Sequence, residues 1–211
     1  MRKPVALIPL NDLSRAKGRL AEILTTEQRA GLATATFATV ALAAERAGLE
    51  VVVLAANPAD VQGYDGVRVV EERADASGLN AQLEAAVAEL RGREVLILHA
   101  DLPLAKAAEL QRVVDAAPPA PSATLVRSRD GGTNAMFLRP AGTFALHYGQ
   151  GSYALHVKAA HAAGTQVRAV ESETLALDLD TPEDIEAFMA MPEAKGSPVR
   201  MILQQMLAGR V

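Results

Sequence analysis

The chain predicts a single α/β domain: a three-layer α/β/α arrangement around a mostly parallel, Rossmann-like mixed sheet. Three observations point there. Apolar runs of strand length (VALIPL, EVVVLA, REVLILH) alternate with Ala- and Leu-rich segments of helical period through residue 117. EVVVLA and REVLILH carry apolar residues at consecutive positions, hence on both faces, as strands covered by helices on two sides do. No linker-like stretch divides the 211 residues, a length suited to one core.

Element by element, 5–10 reads as a first buried strand, and the polar, basic 11–19 as an ordered loop. Residues 26–47 form an amphipathic helix with Leu32, Phe37, Val40 and Ala44 on one face, Thr26 as its cap and Gly48 as its stop. Residues 50–55 and 67–70 are strands. A helix opened by Ser77 or Asn80 runs to Arg91, with Leu79, Leu83, Val87 and Leu90 inward. The strand 93–99 and the helix 106–117 follow, then a proline turn at 118–121. Beyond it the alternation becomes irregular: strands at 123–127 and 134–138, a helix at 152–163, and short strands at 166–170 and 174–177. That pattern predicts an antiparallel edge or a small lobe. Thr181-Pro182 opens a helix, with Glu183 and Asp184 at its positive end. Residues 1–190 make up the domain. Residues 191–211 form a tail with a short helix over 201–207, packed on the domain or at a dimer contact, in a monomer or homodimer.

Composition removes several functions. The net charge of −4 provides no basic field for a nucleic-acid backbone. Three Tyr, four Phe and no Trp leave few stacking platforms. The absence of Cys excludes disulfides, thiolate metal sites and cysteine nucleophiles. Pro4 and Pro9 interrupt the N-terminal apolar run, which is too short for a signal peptide, and no stretch is long and apolar enough to span a membrane. The expected location is the cytoplasm, and the expected partners are small molecules.

Ligands of open α/β sheets bind at the carboxyl ends of strands, and the chemistry-bearing residues cluster after three of them. Asp101 sits just past REVLILH, where it can hold a hard cation or cap a helix. Asp178 and Asp180 share a face if 177–180 is extended, and such close carboxylates call for a cation between them. SRAKGRL places Arg15, Lys17 and Arg19 in the first loop: a phosphate-facing loop or a solvated turn, and neither a P-loop nor a dinucleotide motif. DGGTN (130–134) and GQGS (149–152) can each form an anion-binding glycine turn, the second at a helix N-terminus, or act as plain turns. His156 and His161 are five apart, which is not the spacing of a metal pair.

Taken in order, IPLNDLSRAKGRL, SGLNAQLEAAV, HADLP, GGTNAMFL, GQGSYALHVKAA and LDLDTPEDI resemble the guanylyltransferases of coenzyme F420 biosynthesis, within the molybdenum-cofactor-guanylyltransferase-like nucleotidyltransferases. The resemblance covers roughly residues 4–190. It implies transfer of GMP from GTP to the phosphate of 2-phospho-L-lactate, phosphoenolpyruvate or 3-phosphoglycerate, with release of pyrophosphate. It implies Mg2+ held by Asp101 and one or both of Asp178 and Asp180. It places Lys17, with Arg15 or Arg19, at the triphosphate, and makes Lys17, Arg19, Asp101 and Asp180 the catalytic group. Leu10, Ser77, Gly78, Leu79 and Asn80 would complete the nucleotide pocket, and Thr133, Asn134, Gly149, Gly151 and Ser152 would bind the acid. In RSRDGGTN, Asp130 stands closer to Thr133 than the aspartate does to the threonine in the DxxGxGTN form associated with that family, so this loop is shorter. Two alternatives remain: another nucleotide such as CTP or another acceptor, and a non-catalytic nucleotide-binding protein.

Overall fold

In the computed structural model, which describes residues 2–64 and 66–208, the strands are β1 (Val5–Leu10), β2 (Glu50–Ala55), β3 (Arg68–Glu71), β4 (Val95–Leu98), β5 (Ser122–Arg127), β6 (Thr133–Arg139) and β7 (Gln166–Ala169). The helices are α1 (Thr26–Arg46), α2 (Gly78–Glu89), α3 (Ala107–Asp115), α4 (Ser152–Ala162), α5 (Pro182–Ala190) and α6 (Pro198–Ala208). The strands make one sheet in the order β3-β2-β1-β4-β6-β5-β7.

Side-chain alternation along the strands builds the three layers. Ala6, Ile8, Leu96 and Leu98 face Phe37, Val40 and Ala44 of α1 and Leu110 and Val113 of α3. Val5, Leu7, Val95 and Ile97 face Leu83, Val87 and Leu90 on the α2 side. Each such fully buried Leu, Val or Phe contributes roughly 1.5–3 kcal/mol of transfer free energy. A third cluster joins Leu20, Leu24 and Leu32 to Phe188 of α5 and Val199 and Leu203 of α6. The Gln28 side chain donates to the Met206 carbonyl at 3.2 Å, so α6 lies along the start of α1. Residues 209–211 of the expected tail lie outside the described residues. Among the described residues no helix is long and apolar enough to cross a membrane.

Three local expectations are corrected. The reversed strand is not an edge: β6 pairs antiparallel with β4 and with β5 in the sheet interior, and every other pairing is parallel. All of β6 except its last residue is buried, which an interior position explains. Residues 174–177 form a turn, not a strand. Their backbone groups are taken by partners outside a strand ladder: Leu175 N–H donates to Ser172 Oγ, Ala176 N–H to the Ser172 carbonyl, and the Leu175 carbonyl accepts from Asn134. Thr25, not Thr26, caps α1, because Gln28 three residues on closes a reciprocal capping box.

Candidate active site

β1 and β4 are parallel neighbours at the middle of the sheet, so the loops that leave them share one crevice. After β1 the chain makes two short 3-10 turns, Leu13–Arg15 and Gly18–Leu20, the first capped by Asp12 through Ser14 N–H. Lys17 joins them with φ 52°, the left-handed region and the only positive φ at a non-glycine position among the described residues. Such a conformation costs of order 1 kcal/mol or more and persists only where its surroundings impose it. Here it turns the lysine inward. The Lys17 side chain is 5% exposed, and Nζ sits 3.4 Å from Asp101 Oδ2 and 3.3 Å from Asp180 Oδ1. Arg15 and Arg19, on either side, are exposed. Lys17 is therefore not part of a solvated turn, whereas both arginines reach solvent.

Asp101 does not cap a helix: α3 begins at Ala107, after Lys106. Its Oδ1 is buried and has no hydrogen-bond partner among the described residues. Asp180 leaves the capping of α5 to Thr181, whose hydroxyl accepts from Asp184 N–H. Carboxylate oxygens of Asp101, Asp178 and Asp180 all lie within 4.8 Å of one another. Burial, then the charges of Asp101 and Asp180, push the Asp178 carboxyl up to about 6. Burial also works against the charge on Asp101, but Lys17 and His99 outweigh it and hold that carboxyl below the ordinary range. On Lys17 the two aspartates overcome burial and keep the ammonium protonated. One ammonium paired with two of three clustered carboxylates leaves an unmet demand for positive charge. An all-oxygen donor set with an orphaned buried oxygen fits a hard divalent cation such as Mg2+.

The crevice beside this cluster has a volume of about 240 Å³. Leu10, Lys17, Leu79, Asp101 and Asp180 of the sequence reading line it, together with Leu13, Ala33, Thr36 and His99, which that reading did not single out. His99 Nε2 is buried without a partner among the described residues. Ser77 stands at the N-cap of α2 without a side-chain cap bond, and Gly78 follows at φ 82°. Asn80 is engaged at both ends: its Nδ2 donates to the Tyr148 carbonyl at 2.9 Å, and its Oδ1 accepts from Tyr148 N–H at 2.6 Å. It fastens the 148–151 loop to α2.

The acid-side residues also come together. Ser152 Oγ donates to Thr133 Oγ1 at 3.3 Å, and both side chains are buried. Gly149 and Gly151 adopt positive φ angles of 132° and 68° in the turn leading into α4. The DGGTN segment is not an anion nest, because its N–H groups are consumed. Gly131 N–H donates to the Ser128 carbonyl and Gly132 N–H to Asp130 Oδ1, which also accepts the Ser128 hydroxyl. A Cβ at Gly132 would lie 2.8 Å from Ser128 Oγ, which accounts for the glycine. The first two N–H groups of α4 are likewise taken, by the carbonyls of Gly149 and Gly131. Hydroxyls, with the positive end of the helix behind them, are thus what this side offers an anion. Asn134 donates to the Leu175 carbonyl at 3.0 Å and to Asp178 Oδ1 at 3.4 Å, linking the acid side to the carboxylate cluster.

Comparison with known proteins gives a consistent result. The model of the family described as "Guanylyl transferase CofC like" matches residues 4–201. A phosphoenolpyruvate guanylyltransferase from Rubrobacter xylanophilus is 36% identical over 204 residues, covering 92% of this chain and 98% of its own. A 2-phospho-L-lactate guanylyltransferase from Methanothermobacter thermautotrophicus is 32% identical over 188 residues, covering 87% of this chain and 82% of its own. Among solved structures, a protein assigned as a nucleotide-diphospho-sugar transferase from Desulfovibrio desulfuricans superposes with a TM-score of 0.81 at 15% identity, over 97% of this chain and 95% of that one. A nucleotidyl transferase from Methanothermobacter gives 0.65 at 16% identity, over 97% and 100%. At such identities the structures establish the fold alone.

Proposed function

This chain belongs to the CofC-like guanylyl transferase family, and from that membership we propose that it transfers GMP from GTP to the phosphate of a small phosphorylated carboxylic acid. Phosphoenolpyruvate and 2-phospho-L-lactate are the acids named for its relatives, and a product of this kind suits coenzyme F420 biosynthesis. The observation that carries the reading is the Lys17–Asp101–Asp178–Asp180 cluster at the shared crevice of β1 and β4, in a chain matched to the family over nearly its whole length.

An oxygen of the acid's phosphate attacks the α-phosphorus of GTP. The bond from that phosphorus to the bridging oxygen of the β-phosphate breaks, and pyrophosphate leaves. The attacking oxygen is already anionic, so no general base is required. The difficulty is to hold two anions together in line. Lys17 is suited to it: buried, charged, and fixed before the substrate arrives, it presents a preorganised positive group to the phosphates. Asp101, Asp178 and Asp180 would hold Mg2+, which when bound neutralises phosphate charge and polarises the α-phosphoryl oxygens. Arg15 and Arg19 stand exposed on either side of Lys17, and the charge of Arg19 is one of the smaller influences that lower the Asp130 carboxyl. Thr133 supplies the acid with a hydroxyl donor, and Ser152, whose own proton goes to Thr133 Oγ1, holds that hydroxyl in place. Leu10, Leu79, Ala33 and Thr36 line the crevice where the nucleoside is expected.

Pyrophosphate release measured with GTP, CTP, ATP and UTP in turn, at a fixed mixture of phosphorylated acids and Mg2+, tests the donor. The reading predicts release with GTP well above the other three. Preference for CTP would move the chain to a different nucleotidyl transfer, and nucleotide binding without release would indicate a binding protein.

A further inference from the structure

His156, on α4, is fully buried and belongs to neither the carboxylate cluster nor the crevice lining described above. Its Nε2 is 2.9 Å from the backbone nitrogen of His147. A backbone N–H can only donate, so Nε2 accepts and carries no proton. Burial, then the positive charge that His147 and His99 can carry, push the imidazole pKa down to about 4, so the ring is neutral near pH 7. The one ring proton of a neutral imidazole with a bare Nε2 resides on Nδ1. Nδ1 lies 3.0 Å from Thr133 Oγ1 and therefore donates to it. Ser152 Oγ donates to the same oxygen. Both lone pairs of the Thr133 hydroxyl are then engaged, and its own proton has no acceptor among the described residues.

We propose that His156 is a positioning residue for acceptor binding: its Nδ1–H, held in place by His147 N–H, makes the Thr133 hydroxyl an obligate donor toward the incoming anion. The proposal rests on the reading of Thr133 and Ser152 as the acid pocket. A phosphate or carboxylate oxygen offers only lone pairs. The opposite tautomer would draw the threonine proton to Nδ1 and turn a lone pair toward the anion. Fixing the direction of the relay from a backbone amide removes that arrangement at no reorganisation cost on binding. A histidine that only filled the core would not need its tautomer set against a hydroxyl next to the glycine turn.

Two measurements test it. The first is 15N NMR of histidine-labelled wild-type protein without substrate. The expected spectrum assigns His156 a protonated Nδ1 and a bare Nε2; a protonated Nε2 overturns the proposal. The second is steady-state kinetics of His156→Leu, His156→Asn, Thr133→Val and the His156→Leu/Thr133→Val double variant. His156→Leu is expected to raise KM for the acid about ten-fold, the effect of losing one hydrogen bond to a charged group, with KM for GTP within about two-fold of wild type. His156→Asn, whose amide can donate from near the Nδ1 position, recovers most of the loss. The double variant is no worse than Thr133→Val alone. Equal rises in both KM values, no rescue by Asn, or additive losses in the double variant overturn it. The NMR arm needs no substrate. Wild-type protein inactive on every phosphorylated acid would therefore count against the acid-pocket reading, while a protonated Nε2 would count against the relay itself.

Discussion

Lys17 Nζ lies 3.4 Å from Asp101 Oδ2, a contact closed across 84 residues that joins the loop after β1 to the turn after β4. It sets the carboxylate beside the residue proposed to face the phosphates, and it makes Asp101 separable from the core. Asp101→Asn keeps the shape and removes the charge, while Lys17 retains Asp180. Turnover is expected to fall by about 10²–10³, the usual loss when one preorganised electrostatic group is removed. The melting temperature should stay close to that of the wild type. Full activity in this variant would place the chemistry elsewhere.

Lys17→Ala leaves Asp101, Asp178 and Asp180 facing one another without an ammonium. Their mutual repulsion favours a bound cation. Melting temperatures of variant and wild type, each with EDTA and with Mg2+, give the comparison. The Mg2+-induced rise should be larger in Lys17→Ala. Equal rises would mean that the lysine and the cation do not share this cluster.

His156 predicts an acid limb of stability. Its folded pKa of about 4 lies below the ordinary value of 6.5, so the unfolded chain takes up the proton first. Its contribution is fully present above pH 6.5 and is lost as pH falls toward 4, a change on the order of 3 kcal/mol across the window. Asp178 acts in the opposite sense. Its folded pKa of about 6 is raised from 3.8, so its contribution grows as pH falls from about 6 and is complete below 3.8. Comparing urea midpoints of wild type and His156→Asn from pH 7 to pH 4 cancels the aspartate. The wild type should lose more stability on acidification, and parallel curves would contradict the account.

Asn80 separates two roles. Both ends of its amide hold Tyr148 backbone, so Asn80→Ala should cost about 1–3 kcal/mol and loosen the 148–151 loop. KM for the acid is then expected to rise more than KM for GTP. A larger rise for GTP would instead support a role for Asn80 in the guanine pocket.

Much of this was legible in the residues because strand and helix periods are strong signals. Val5–Leu10, Glu50–Ala55 and the β4 run declare themselves by unbroken apolar sequence, and the carboxyl ends of β1 and β4 locate the crevice. Asp101 stands out by its place just past β4, and Asp178 and Asp180 by the cost of two close carboxylates without a cation. What stayed hidden depends on long-range contact. Nothing local shows that β6 inserts between β4 and β5, since its composition reports burial on both faces and not which strands it pairs with. The turn at 174–177 reads as a strand until Ser172 and Asn134 are seen to take its backbone bonds. Lys17 looks like its neighbours Arg15 and Arg19 until its left-handed φ turns it inward. His156 is invisible as a relay because its partners, His147 and Thr133, lie 9 and 23 residues away.

The most direct test of the central claim is product formation. GTP and Mg2+ are incubated with phosphoenolpyruvate, 2-phospho-L-lactate and 3-phosphoglycerate separately, following pyrophosphate and the mass of the product. The account predicts pyrophosphate release with phosphoenolpyruvate or 2-phospho-L-lactate, matched mole for mole by a product whose mass is that acid joined to GMP through a new phosphoanhydride. Pyrophosphate release without that product, or no release with any of the three while GTP binds, would contradict it.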